Sequence, residues 1–243
     1  MAWKQGGFAS GARFSLCLSL PLLILLLTPS SLFSLDQASG TKVLFSYEEA
    51  LGYCCGEVVN DKDGVSAAIV FADMVNFLYS AGSTLSTQLA TIYAAYGRCA
   101  SHNSYVFCHD PALTDRIFER VREKFGMVPL KAALDGGSAL EVCGSAVTRL
   151  TDVTLGLDSG ASDGQADLPV TADSHMLMYS FANGVTVTLR TSGTEPKIKF
   201  YTELAGAPGA TEGEEEMRAR LQVFVSKVVD EMLQPKLHGL ASP

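Results

Sequence analysis

The sequence predicts a protein of mixed α/β and α+β class, in which a mixed sheet with helices is followed by an antiparallel sheet with helices on one face. Three observations lead to this class. Strand-like runs alternate with segments of helical spacing over the first half of the 243 residues. Two alternating runs flank Asn183-Gly184, which is typical of an antiparallel hairpin. A long amphipathic segment predicts a closing helix over about residues 212–233.

The first half is predicted to begin with a buried strand, residues 41–47, and a long loop, residues 48–64. Asp63 then precedes apolar residues at helical spacing, which predicts a helix with Asp63 near its N-cap. A second helix follows, and Gly97 is placed to end it.

The second half is predicted to continue with a strand over residues 104–109. A helix then starts at Asp110-Pro111, because an N-cap aspartate followed by proline is a strong start signal. A strand is predicted around residues 141–155. Residues 156–168 are rich in Gly, Ser and Asp, and we expect them to form an exposed loop.

Three alternating runs come next and predict three antiparallel strands. The first two are expected to be joined at Asn183-Gly184 by a two-residue type I′ turn. The closing helix is predicted to start with a capping box formed by Thr211 and Glu214.

The charge balance argues against nucleic-acid binding. The chain has 18 Lys and Arg against 26 Asp and Glu, a formal net charge of −8, whereas nucleic-acid binding needs a basic surface. Any bound anion must therefore be held by a local cluster of donors. The six cysteines form no CxxC pair and are typical of free thiols in a reducing compartment.

The N-terminal 40 residues have a different composition. Lys4 and Arg13 precede an uncharged and strongly apolar stretch, residues 14–35. This layout is typical of a signal peptide or membrane anchor, although Pro21 is unfavourable for a long regular helix. A non-native leader is the alternative interpretation.

The segment RTSGTEPKIK lies between two predicted strands and concentrates donors for an oxyanion. It offers a planar guanidinium, two hydroxyls, a glycine that lets successive N–H groups point inward, and an ammonium group. These groups come from Arg190, Ser192, Thr194, Gly193 and Lys197. A polar turn with an incidental arginine is the alternative, but the density of donors favours a phosphate site.

The longer segment RTSGTEPKIKFY resembles the C-terminal phosphate-binding loop of the α-D-phosphohexomutases. FSYEEALGY is similar to the sugar-binding loop of that family, and DKDGVSAA to the segment that follows it. The combination is most similar to the phosphoglucomutase/phosphopentomutase and glucose-1,6-bisphosphate synthase branch. The resemblance implies an intramolecular phosphotransferase of carbohydrate metabolism, a hexose or pentose phosphate as partner, and a cytoplasmic location.

The resemblance also implies roles for individual residues. The substrate's phosphate would be bound by Arg190, Ser192, Gly193, Thr194 and Lys197. Glu48 matches the glutamate that accepts hydrogen bonds from sugar hydroxyls, Glu49 belongs to the same sugar-binding loop, and Lys62 matches a basic position that faces the active site. Ala50 stands where many hexose-specific members have serine, so a pentose phosphate is compatible with the sequence.

The phosphoserine loop and the Asp-rich Mg²⁺ loop of the family do not occur in this sequence. Ser101 lies in a partial copy of the phosphoserine loop, but this copy follows the sugar-binding loop instead of preceding it. We therefore expect no catalytic residue, no metal site and no cofactor in this chain, whereas Mg²⁺ is expected for full-length members.

The resemblance divides the chain into a leader (residues 1–40), a partial third, sugar-binding domain (residues 41–97) and a C-terminal phosphate-binding domain (residues 98–243). The first hypothesis is the sugar-phosphate binding part of a phosphomutase, truncated and inactive as an isolated chain. A non-catalytic sugar-phosphate binding module is the second. The third is a secreted or membrane-anchored protein of unrelated role, which requires the leader to be real.

Overall fold

The computed structural model describes residues 45–48, 51–55, 59, 61–168, 170 and 173–243. These residues belong to two compact units that divide between Ser83 and Thr84. The domain boundary at residue 97 stays a prediction, and the leader lies outside the described residues. Within the described part of the chain, no single helix combines the length and the apolar composition that a membrane crossing needs.

The first unit contains a hairpin and a helix. Strand β1 (Phe45–Glu48) pairs antiparallel with β2 (Gly52–Cys55), and α1 (Gly64–Ser80) follows. Asp63 caps α1 as predicted, because its carboxylate accepts hydrogen bonds from two backbone N–H groups of the first turn at 3.0 and 3.3 Å.

The long loop predicted over residues 48–64 is interrupted by β2, so this prediction is wrong in part. Leu51 lies directly before β2 and has a φ of 64°, in the left-handed region. Tyr53 and Cys54 then pair with Tyr47 and Ser46. A leucine gives no sequence signal for such a turn, which is why the hairpin was not predicted.

The second unit contains five helices and eight strands among the described residues. Its helices are α2 (Leu85–Tyr96), α3 (Pro111–Phe125), α4 (Met127–Leu134), α5 (Glu214–Met232) and α6 (Pro235–His238). Its strands are β3 (Cys99–Ser101), β4 (Ser104–Phe107), β5 (Glu141–Val142), β6 (Ser145–Asp152), β7 (Leu157–Asp158), β8 (Met176–Phe181), β9 (Val185–Thr191) and β10 (Lys197–Ala205).

The eight strands form one antiparallel sheet in the order β3-β10-β9-β8-β6-β5, with β4 also pairing β10 and β7 pairing β6. Alternate residues of β8, β9 and β10 are buried in one hydrophobic cluster together with apolar residues of α3 and α5. Helices α3 and α5 therefore pack on the same face of the sheet. The predicted fold class, helices with an antiparallel sheet, is confirmed.

The helix boundaries follow their predicted signals in most places. Asp110 caps α3 by accepting a hydrogen bond from the N–H of Ala112 at 2.9 Å, with Pro111 in the first turn. Gly126 follows the last residue of α3, and Gly97 follows α2 with a φ of 88°.

The hairpin between β8 and β9 is confirmed, but its turn type is not the predicted one. The strand register leaves Ala182, Asn183 and Gly184 as a three-residue loop, in which only Gly184 has a positive φ, 83°. A type I′ turn needs a positive φ at both central residues. Such a pair joins β5 and β6 instead, where Cys143 and Gly144 have φ values of 52° and 77°.

Two further sequence predictions are corrected by the structure. The capping box is wrong, because α5 begins at Glu214 after the N-cap Gly213, and no side chain caps it. The loop predicted to be exposed over residues 156–168 contains β7, which pairs with β6 and leaves Asp158 only 5% exposed.

Candidate functional site

The loop with the predicted phosphate donors, residues 192–196, joins β9 to β10 on the second unit. Backbone hydrogen bonds close its base. The N–H of Ser192 donates to the carbonyl of Lys197 at 3.0 Å, and the N–H of Lys197 donates to the carbonyl of Glu195 at 2.7 Å. The carbonyl of Pro196 accepts from Cys108 at 2.9 Å, which ties the loop to the segment after β4.

The hydrogen-bond donors at the tip of this loop have no acceptor among the described residues. The N–H groups of Gly193, Thr194 and Glu195 donate to no other described residue, and neither do the hydroxyls of Ser192 and Thr194. The loop thus presents several dipoles that an anion could accept from. Such donors lie at the surface, where water satisfies them until a ligand binds.

Gly193 lies at the tip of this loop in open surroundings. Its φ is not in the left-handed region, so the backbone conformation does not require glycine, and a Cβ at this position would meet nothing within 4 Å. The absence of a side chain instead leaves the N–H of Gly193 uncovered, which permits close approach of a ligand.

Arg190 is near the end of β9, on the sheet face opposite the helices. Its cross-strand partner is Lys199, and its guanidinium lies 5.8 Å from the ring centroid of Tyr201. It makes no hydrogen bond or ion pair with another described residue. In this conformation the guanidinium of Arg190 lies beside Tyr201.

Lys197 is partly neutralised by its own loop. Its Nζ lies 2.7 Å from Glu195 Oε1 and 4.1 Å from the ring centroid of Tyr105. The hydrogen bond from Lys197 is the main reason that the pKa of Glu195 is lowered, and the same bond raises the pKa of Lys197. The Glu195–Lys197 pair therefore adds less net positive charge to an anion site than Lys197 alone would.

A cleft of about 350 Å³ opens between this loop and the first turns of α3. Ser192 and Lys197 line one side, and Asp115, Asp173 and His175 line the other. Arg190 is not among the lining residues. The cleft offers both hydrogen-bond donors and carboxylate acceptors next to the candidate phosphate loop.

A network of charged and polar side chains, of which the Arg122–Asp152 pair is mostly buried, lies next to the end of β9. Arg122 forms an ion pair with Asp152 at 2.7 Å, and its Nη1 lies 3.0 Å from Nδ1 of His175. Arginine can only donate, so Nδ1 accepts and the Nε2–H of His175 donates to Asp115 at 2.9 Å. The backbone of His175 is in turn hydrogen-bonded to Thr191, the last residue before the loop, at 3.0 and 3.1 Å.

Sequence reasoning missed the members of this network. Arg122 and Asp152 are 30 positions apart, and Arg122 and His175 are 53 positions apart. Each is an ordinary polar residue in its local sequence, and only the sheet topology brings them together. No local signal could have identified them.

The predicted sugar-binding residues belong to the first unit. Glu48 ends β1 and pairs with Gly52, while its side chain and the whole of Glu49 lie outside the described residues. Lys62 is exposed and precedes the N-cap Asp63. Its aliphatic chain packs so closely on Gly52 that a Cβ there would collide with it. The first unit thus places the backbone of Glu48 and the side chain of Lys62 next to Gly52.

Among the described residues, no group of three or more His, Cys, Asp or Glu side chains is arranged to hold a metal ion. Ser101 is exposed in β3 opposite Glu203, and the segment after it is occupied by structural hydrogen bonds, since Asn103 Oδ1 accepts from the N–H of Thr202 at 2.9 Å.

The chain is similar to several sugar-phosphate enzymes. Human phosphopentomutase is 39% identical over 202 residues, which cover 83% of this chain and 31% of that protein. Human glucose 1,6-bisphosphate synthase is 39% identical over 207 residues with the same coverage. A probable phosphoribomutase of Schizosaccharomyces pombe is 34% identical over 166 residues, 68% of this chain and 27% of that protein.

The fold has a relative among solved structures. The crystal structure of the exocytosis-sensitive phosphoprotein pp63/parafusin, a phosphoglucomutase from Paramecium in its open form, matches with a TM-score of 0.58 and 14% identity, over 88% of this chain and 34% of that one. At this identity the likeness concerns the fold alone. No protein-family model matches the sequence. The chain spans about a third of the length of the curated relatives it matches, and by this similarity it belongs to the α-D-phosphohexomutase family.

Proposed function

We propose that this chain binds a sugar phosphate and that the phosphate occupies the loop of residues 192–196. The observation that carries the proposal is the cluster of uncommitted donors there, in a chain of net charge −8. The N–H groups of Gly193 and Thr194 and the hydroxyls of Ser192 and Thr194 would donate hydrogen bonds to the phosphate oxygens. Arg190, which has no charged partner among the described residues, would turn from Tyr201 to supply the planar charged contact.

The similarity to phosphopentomutase and glucose 1,6-bisphosphate synthase supports a pentose or hexose phosphate as the ligand. In this proposal Glu48, Glu49 and Lys62 contact the sugar, and Lys197 contributes to the phosphate site. The isolated chain does not interconvert sugar phosphates, because its sequence lacks the phosphoserine and Mg²⁺ loops. Full-length relatives would use Mg²⁺ held by residues outside this chain.

Binding is tested by calorimetry with ribose 5-phosphate and glucose 6-phosphate. We expect Arg190→Ala to weaken binding by about 1.5–3 kcal/mol, the usual contribution of a hydrogen bond to a charged group. Arg218→Ala is the matched control, since Arg218 is an exposed arginine paired with Glu214 on α5, and it should leave the affinity unchanged. Equal affinities for the wild type and Arg190→Ala would rule out this loop as the phosphate site.

The proposed lack of turnover is tested by incubating the purified chain with ribose 1-phosphate and Mg²⁺. We expect no ribose 5-phosphate above the protein-free background. Product formation would contradict this part of the proposal, and the variant Ser101→Ala would then show whether Ser101 is responsible.

A further inference from the structure

Glu195 is an acidic residue at the rim of the proposed phosphate loop. Its carboxylate lies 2.7 Å from the ammonium group of Lys197 and 3.6 Å from that of Lys199. The two lysine side chains are only 14% and 27% exposed, whereas that of Glu195 is 45% exposed. The carboxylate of Glu195, which is the most exposed of the three groups, therefore pairs with the ammonium groups of both lysines.

The backbone holds this carboxylate close to the lysines. The N–H of Lys197 donates to the carbonyl of Glu195 at 2.7 Å, which makes a tight turn across Pro196. Because proline fixes its own φ near −65°, this turn has little freedom. The aromatic rings of Tyr105 and Phe107, 4.1 and 5.2 Å from the Lys197 Nζ, confine the lysine on the other side.

The charge of the loop follows from this arrangement. Arg190, Lys197 and Lys199 are cations on one sheet face, and the carboxylate of Glu195 reduces their formal sum to +2. A phosphate monoester carries about −1.5 to −2 at pH 7. The net charge of these groups thus balances the charge of one phosphoryl group. Without the carboxylate of Glu195, their higher positive charge would balance an anion with a second phosphoryl group.

We propose that Glu195 is a specificity-determining residue, which restricts the loop to a single phosphoryl group by keeping Lys197 and Lys199 engaged. This inference rests on the proposed phosphate site. In the intact loop, Arg190 and neutral donors contact the anion, and Lys197 and Lys199 contribute only the positive charge that Glu195 does not compensate. Removing the charge of Glu195 releases two lysines, which then attract more highly charged anions.

The test compares the dissociation constants of orthophosphate and pyrophosphate for the full chain by calorimetry. In Glu195→Gln we expect pyrophosphate to gain about tenfold in affinity relative to orthophosphate, the scale of one additional charge-assisted contact. Adding Lys197→Met to this variant should reverse most of the gain. Glu212→Gln removes another ion-paired carboxylate, the partner of Arg220 at 2.8 Å, and should leave the ratio unchanged.

The outcomes separate this inference from the proposed function. If Arg190→Ala weakens orthophosphate binding but Glu195→Gln leaves the ratio of the two affinities unchanged, the role of Glu195 is wrong and the phosphate site stands. If Arg190→Ala has no effect on orthophosphate binding, the phosphate site is wrong and the role of Glu195 falls with it. Glu195→Ala replaces the amide variant if circular dichroism shows that the latter does not fold.

Discussion

At the scale of single residues, the candidate site depends on donors that the fold leaves unpaired at the surface. The tip of the loop has uncovered N–H groups at Gly193 and Thr194, and an anion can bind there only if it approaches the backbone closely. A single methyl group added at the tip should therefore weaken ligand binding without lowering the stability of the fold.

We expect Gly193→Ala to weaken sugar-phosphate binding roughly tenfold, about 1.4 kcal/mol, because the new Cβ would stand beside the N–H that the phosphate approaches. Stability should be unchanged or slightly higher, since the φ of Gly193 is compatible with alanine and the surrounding space is open. Calorimetry and urea unfolding measure the two effects.

Gly213→Ala is the control for this variant, because Gly213 has a φ of −73° and equally open surroundings outside the loop. It should leave ligand affinity unchanged. If Gly193→Ala binds as well as the wild type, the backbone of the loop tip is not a phosphate contact.

Some residues of the candidate site could be predicted from the sequence, and others could not. The donors between Arg190 and Lys197 are contiguous, so their chemistry is visible in the sequence. The pairing of Glu195 with two lysines was not predicted, because it depends on the turn at Pro196 and on the aromatic side chains from β4. Arg122 and His175 meet only through the fold.

At the scale of secondary-structure elements, local signals predicted helix starts better than turns. Asp63 and Asp110 cap their helices because an N-cap needs only one side chain and the following two or three N–H groups. The turn at Asn183-Gly184 differs from its prediction because the register of β8 and β9 adds Ala182 to the loop. Register is a property of two strands and is not contained in the turn sequence.

The segment after β6 provides a prediction about pH. Arg149 and Asp158 form an ion pair at 2.6 Å, with Asp158 side chain only 7% exposed. Burial raises the pKa of Asp158, but the hydrogen bonds from Arg149 and from the N–H of Gly160, with the charge of Arg149, outweigh burial and lower it. The ion pair therefore stabilises the fold above the ordinary carboxyl pKa of about 3.9, and this stabilisation is lost as pH falls through the lower pKa of the folded state.

We expect Asp158→Asn to reduce the free energy of unfolding by about 1–2 kcal/mol at pH 7, after allowance for the half-exposed arginine. The difference from the wild type should shrink below about pH 4. Urea unfolding at pH 7 and pH 3 measures both values. A difference that stays constant with pH would contradict this account.

Arg116→Gln is the control for the pH experiment. Its ion pair with Asp110 is long, 3.7 Å, and both side chains are more than half exposed. Such pairs contribute about 0–1 kcal/mol. The variant should unfold close to the wild type at both pH values.

At the scale of the whole molecule, the chain consists of two units, and the candidate phosphate loop belongs entirely to the second. The overall charge is negative, so long-range attraction does not favour a phosphate ligand and the loop must supply the affinity locally. The fold class could be predicted from hydrophobic periodicity. The division between Ser83 and Thr84 could not, because the boundary between two compact units depends on how the elements pack.

The most direct test of the central claim, that the loop of residues 192–196 receives the phosphate of a sugar phosphate, is a titration of the ¹⁵N-labelled chain with ribose 5-phosphate followed by ¹H–¹⁵N correlation spectra. We predict that the largest and saturable shifts occur at the N–H groups of Gly193, Thr194 and Glu195, and that Arg190→Ala reduces them. Saturable shifts confined to other parts of the chain, or no shifts at millimolar ligand, would contradict the claim.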